Sequence, residues 1–128
     1  MSLSLPRALT LCAALSALTL AAFDASAADL RVRCETRSDR AKASVDGNNV
    51  ASGNYSAVLM SGANSAQSKP KHTIGDEVEF DFDSNPRDIR QGATPIAKNF
   101  IVGGTATGKL LNANGAVVAT KTVNCRRR

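Results

Sequence analysis

Four carboxylates stand at alternate positions in one stretch, Glu77, Glu79, Asp81 and Asp83, with Val78, Phe80 and Phe82 between them. On an extended strand, residues two apart share a face at a spacing of ~6.6–7 Å. A row of like charges at that spacing needs solvent, cross-strand bases or a cation to relieve it. Arg31, Arg33 and Arg37 form a row of opposite sign with the same period. If the two segments are neighbours they pair as rungs, each worth ~0.2–1 kcal/mol, and this is the preferred reading. The alternative is a calcium site built from Asp76, Asp83, Asn85 and Asp88 at the two ends of the strand. A hard cation wants roughly six to eight oxygens from convergent loops, and no EF-hand or glycine-rich nonapeptide spacing supports that convergence.

A second charged feature is Arg126-Arg127-Arg128, directly after Cys125. With Lys121, and with Arg31 and Arg33 if the first and last strands adjoin, it forms a basic patch suited to phosphate, polyanions or an anionic envelope surface. Specific nucleic-acid recognition is not expected. The chain has four Phe, one Tyr and no Trp, none interleaved with basic residues as a stacking platform requires.

Catalytic and metal chemistry find little support. His72 is the one histidine, and no nucleophile motif accompanies it. A zinc site lacks a second histidine, and the cysteines are expected to be oxidised. The run Gly103 to Lys109 lacks the glycine spacing of a phosphate loop and has Leu110 where a hydroxyl is needed. Neither an enzyme nor a cofactor is expected.

Residues 1–27 read as a secretory signal peptide. Arg7 supplies the positive region, Ala8 to Phe23 is almost purely apolar, and Ala25-Ser26-Ala27 is a small-x-small cleavage site. Cleavage removes one basic residue (Arg7) and one acidic residue (Asp24), so the formal charge of +5 is unchanged. No membrane-spanning segment is expected afterwards, and the location is the periplasm or the extracellular space. Cys34 and Cys125 are then the remaining thiols, in a compartment where disulfides persist. Their pairing would link the first strand to the last and contribute ~4–5 kcal/mol in the chain-entropy model.

The elements that must position these groups are strands. Residues 29–37 alternate Leu30, Val32 and Cys34 with charged neighbours. Ala41 to Val45 follows, and Asp46-Gly47 reads as a hairpin turn. Tyr55, Ala57 and Leu59 mark a strand whose other face carries Val58 and Met60, which suits a central position. Residues 61–71 read as a loop with a weak edge strand, and 84–95 as a long connection holding one helical turn. A further strand is expected over 96–102, with a bend or bulge at Gly103-Gly104 inside a longer run to Leu111, and a turn at 112–115. The last strand, 116–125, carries Val117, Ala119, Val123 and Cys125 on one face.

About seven short strands with this punctuation predict a single all-β domain over 28–128, an antiparallel β-sandwich of immunoglobulin-like kind; a small β-barrel is the alternative. The expected role is a non-enzymatic exported module binding a protein or an anionic envelope polymer through its loops. Calcium binding and secreted enzyme inhibition are the alternatives.

Overall fold

The computed structural model describes residues 28–128; the signal-peptide reading, on residues 1–27, lies outside them. The elements in order are β1 (Asp29–Arg37), β2 (Arg40–Asn48), β3 (Asn54–Ser61), β4 (Asn64–Gln67), β5 (Lys71–His72), β6 (Val78–Asp83), α1 (Pro86–Arg90), β7 (Thr94–Pro95), β8 (Thr105–Asn112), β9 (Val117–Asn124) and β10 (Arg126–Arg127). They form two sheets that do not close into a barrel. One has the order β10-β1-β2-β6-β7; the other is β4-β3-β8-β9, with β5 also on β3. The pairing is antiparallel except for two short parallel additions, β10 on β1 and β7 on β6.

Alternation along the strands builds the core. Val32 and Cys34, Ala43 and Val45, and Val78, Phe80 and Phe82 turn inward from the first sheet. Tyr55, Ala57, Leu59, Ala106 and Leu110 meet them from the second. The core is rich in small residues, so the sheets approach closely. At Gly108 an added Cβ would stand 2.6 Å from Val32 Cγ2 and 2.9 Å from Val45 Cγ2. β3 is central, bonded to β4 on one side and β8 on the other. Tyr55 is buried, and its hydroxyl donates to the Ala51 carbonyl at 2.7 Å.

Three expectations are corrected. Asp46-Gly47 is no turn: both residues lie inside β2, Asp46 opposite Arg31 and Glu79, Gly47 opposite Leu30 and Val78. Glycine is there because a Cβ would meet Leu110 Cδ2 at 2.8 Å across the core. The chain leaves the sheet at Asn49, whose φ of 57° suits asparagine.

Residues 96–102 form no strand. Ile96 and Phe100 drop into the core; their N–H groups donate to the Asp83 and Ala97 carbonyls, each at 3.0 Å, and side chains bond the rest of the segment where a ladder would. Asn64 Nδ2 donates to the Phe100 carbonyl at 2.7 Å, and the Val102 N–H donates to Ser61 Oγ at 2.7 Å. The third correction is Val117. A bulge pairs Leu110 with Ala119 but Leu111 with Val117, which turns Val117 to solvent, 52% exposed.

Cys34 and Cys125 are joined by a disulfide, 91 residues apart in sequence. That bond suits an oxidising, exported environment. Among the described residues no helix is long and apolar enough to cross a membrane.

Two outcomes follow. Replacing Cys34 and Cys125 together by serine should lower the melting temperature by about 20 °C, a loss of ~4–5 kcal/mol. Gly108→Ala, with two core valines in its way, should cost about 1–3 kcal/mol in urea unfolding. A parent-like melt in either variant would mean that the tether or the close packing matters less than argued.

Candidate functional site

The acidic row and the arginine row are not neighbours. β2 lies between β1 and β6, so Arg31 faces Asp46 and Arg33 faces Ser44; these in turn face Glu79 and Asp81. The rungs expected between the two rows are therefore replaced by contacts through β2. Arg33 reaches Asp46 at 3.8 Å. Burial pushes the Asp46 carboxyl above the usual carboxylate range, Glu79 and Asp81 push it further, and Arg33 and Ser44 work against them. Lys42, Arg126 and Glu35 complete this outer face, which mixes both signs of charge.

Asp83 is set apart from that row. By parity it should be exposed, yet it is 4% exposed, because the chain folds back over it through α1. Arg40 holds it with two bonds, Nε to Oδ1 at 3.0 Å and Nη2 to Oδ2 at 2.7 Å. The same Nη2 donates to Asp88 Oδ2 at 2.9 Å. The N–H of Asn85 donates to Asp83 Oδ1, and Asn85 Oδ1 caps α1 by accepting from the Arg87 N–H.

Of the residues considered for calcium, Asp83, Asn85 and Asp88 thus gather around an arginine. Asp76 sits at the other end of β6, ~20 Å away at strand rise, where its carbonyl accepts from Val50. Among the described residues no cluster of three or more His, Cys, Asp or Glu is placed to hold a metal ion. Burial works to raise the Asp83 carboxyl, but the Arg40 hydrogen bond, the Asn85 N–H and the charges of Arg40 and Lys42 prevail and hold it below the usual range.

The basic patch divides. Cys125 is tied to Cys34, and β10 then runs parallel to β1 with Arg126 opposite Glu35 and Arg127 opposite Thr36. Adjacent strand residues point to opposite faces. Arg126 accordingly joins Arg33 on the outer face of the sheet and Arg127 turns away from it; Arg127 lines a separate cleft, joined at its edge by Arg128, which follows β10 and also reaches Glu35. Lys121, on β9 opposite Gly108, lies in neither, and Arg31 is exposed on β1.

That cleft, of about 900 Å³, is walled by Arg37 and Ser38 at the end of β1, by Arg127 and Arg128, and by Lys98, Ile101 and the Gly103-Gly104 turn. Both glycines have positive φ, 67° and 72°, the demand of a type I′ turn. They fold 98–104 back toward Cys125, whose N–H donates to the Gly104 carbonyl at 2.8 Å. Glu35 Oε2 accepts from Arg37 Nε at 3.0 Å and lies 3.0 Å from Arg37 Nη2 and 3.3 Å from Arg128 Nε. Burial acts to raise the Glu35 carboxyl, but the Arg37 hydrogen bond and the charges of Arg128, Arg37 and Lys42 outweigh it and hold it low. Among the described residues Lys98 and Arg127 make no ion pair.

The cleft thus adds Arg37 and Lys98 to the arginine run. Arg37 shares the period of Arg31 and Arg33, but Lys98 gave no signal, since it belongs to the stretch expected as strand. Compared with known protein families and with curated proteins, the chain matches no family model and no curated sequence.

Arg40→Met should cost about 2–3 kcal/mol at pH 7, because it leaves a buried carboxylate without its partner. The sign with pH follows from the depressed carboxyl of Asp83. Its contribution is complete above pH ~4 and is lost as pH falls through the lower folded value. Urea unfolding should therefore show the gap between parent and variant narrowing from pH 7 to pH 3; a gap of constant size would contradict the pairing.

Proposed function

We propose that this chain is an exported, non-enzymatic binding module, built on an immunoglobulin-like sandwich, whose partner is an anionic polymer of the cell envelope. Facing the three longer strands β1, β2 and β6 with β4, β3, β8 and β9 supports the immunoglobulin-like part. The observation that carries the function is the cleft beside β10. Arg37, Lys98, Arg127 and Arg128 line it, and among the described residues Glu35 is the one carboxylate ion-paired to them. The walls come from three separate segments held together by a disulfide and by backbone hydrogen bonds, so the cations are positioned by the fold.

The 84–95 loop, a natural first choice for binding, is less suited. Its helix is capped, and Asp88 is spent on Arg40. An anionic chain laid along the cleft would meet positive charge on both sides. Such binding weakens with salt, because exposed charges are screened over ~8–10 Å at physiological ionic strength.

Isothermal calorimetry with two soluble polyanions, polyphosphate and polyglutamate, tests this reading. Binding of at least one polymer at low salt is expected, weakened roughly tenfold or more at 0.3 M salt. Arg127→Ala should weaken it as well, while Lys109→Ala on β8 should not. If neither polymer binds at low salt, the proposal is wrong.

A further inference from the structure

The cleft holds more positive charge than a chain of single carboxylates requires, and we infer that it takes a phosphomonoester group carried on the anionic partner. The inference rests on the polyanion-binding reading of the same cleft and adds the chemistry of the group recognised. Four cations line the site and one carboxylate, Glu35, is paired with two of them, an excess of three positive side-chain charges. A lone carboxylate is answered by one arginine fork. A phosphomonoester carries a charge near −2 at neutral pH and presents three terminal oxygens, so it draws on several donors at once.

The disposition of donors agrees with this. Glu35 occupies Nε and Nη2 of Arg37 and Nε of Arg128. That arrangement anchors each guanidinium by one edge and leaves its remaining nitrogens for a ligand. Arg127 and Lys98 keep their full complement, since no hydrogen bond or ion pair among the described residues engages either side chain. Glu35 is thus a positioning residue. It sets two arginines in place, and its negative charge is outnumbered by the bases around it.

A soluble or wall-bound polymer fits better than a bilayer as the carrier. The cleft's apolar side chain, Ile101, is partly buried, and among the described residues no aromatic side chain lines it to enter a membrane interface.

The test is titration of the oxidised protein with small probes, followed by amide chemical shifts. The probes are glycerol 3-phosphate (phosphomonoester dianion), dimethyl phosphate (diester monoanion) and succinate (two carboxylates). Glycerol 3-phosphate is expected to bind at least tenfold more tightly than the other two, with the largest shifts at residues 98–104 and 125–128. Lys98→Ala and Arg127→Ala should each weaken it about five- to tenfold, with the melting temperature kept, and Lys109→Ala should leave it unchanged.

Equal binding of succinate, or an unaltered affinity in Lys98→Ala, overturns the inference while leaving the polyanion reading intact if polyglutamate still binds. Loss of response to every probe and polymer overturns both. Co-sedimentation with phosphatidylglycerol vesicles, without response to glycerol 3-phosphate, would assign the cleft to a lipid diester and overturn it too.

Discussion

The first strand is held on both of its edges, and most of the molecule depends on that. Along one edge β1 pairs with β2 over its whole length; along the other it receives β10, aligned by the Cys34–Cys125 bond. β10 is two residues long, too short to persist on its own hydrogen bonds. The covalent link removes the entropy of bringing distant segments together, after which two backbone pairs suffice to place the arginine run. A small core without tryptophan gains stability from the same bond, so the staple that supports the fold also positions its most basic surface.

Close approach of the sheets is the second constraint. Gly47 and Gly108 stand where a single added carbon would collide with the facing valines or leucine. Ala41, Ala43, Ala57 and Ala106 are buried beside them. Packing of this kind leaves little room for rearrangement inside, and variation in function falls to the connections. Two of these are tied down by polar side chains. The 84–95 connection is fixed by Arg40 on Asp83 and Asp88, and the 96–104 connection by Ser61 and Asn64.

Electrostatics on this scaffold separates into three neighbourhoods. The outer face around β2 mixes both signs, and Asp46 bears the strain of its acidic neighbours there. The Arg40 group is an internal tie whose charges answer one another. In the cleft beside β10 positive charge is left in excess. A net charge of +5 says nothing of this distribution, because strand parity and register decide which charges meet.

What depends on local pattern was legible in the residues alone. Period-2 alternation identified β1, the core of β3 and β6; the length of 84–95 marked a connection holding a helical turn; elimination of other thiols paired Cys34 with Cys125. Each rests on neighbours in sequence or on simple counting. The register of the sheets, the burial of Asp83 and the convergence of Lys98 with Arg37 and Arg127 depend on which strands adjoin. Asp46-Gly47 shows the limit most plainly. The dipeptide favours a turn locally, yet Leu110 from the other sheet needs the space that glycine leaves, and the strand runs on. Alternation and composition thus determined that this chain folds as strands around a stapled core. The tertiary structure alone decided which charges cancel and which remain, because Coulomb energies depend on distances that only the packed sheets set.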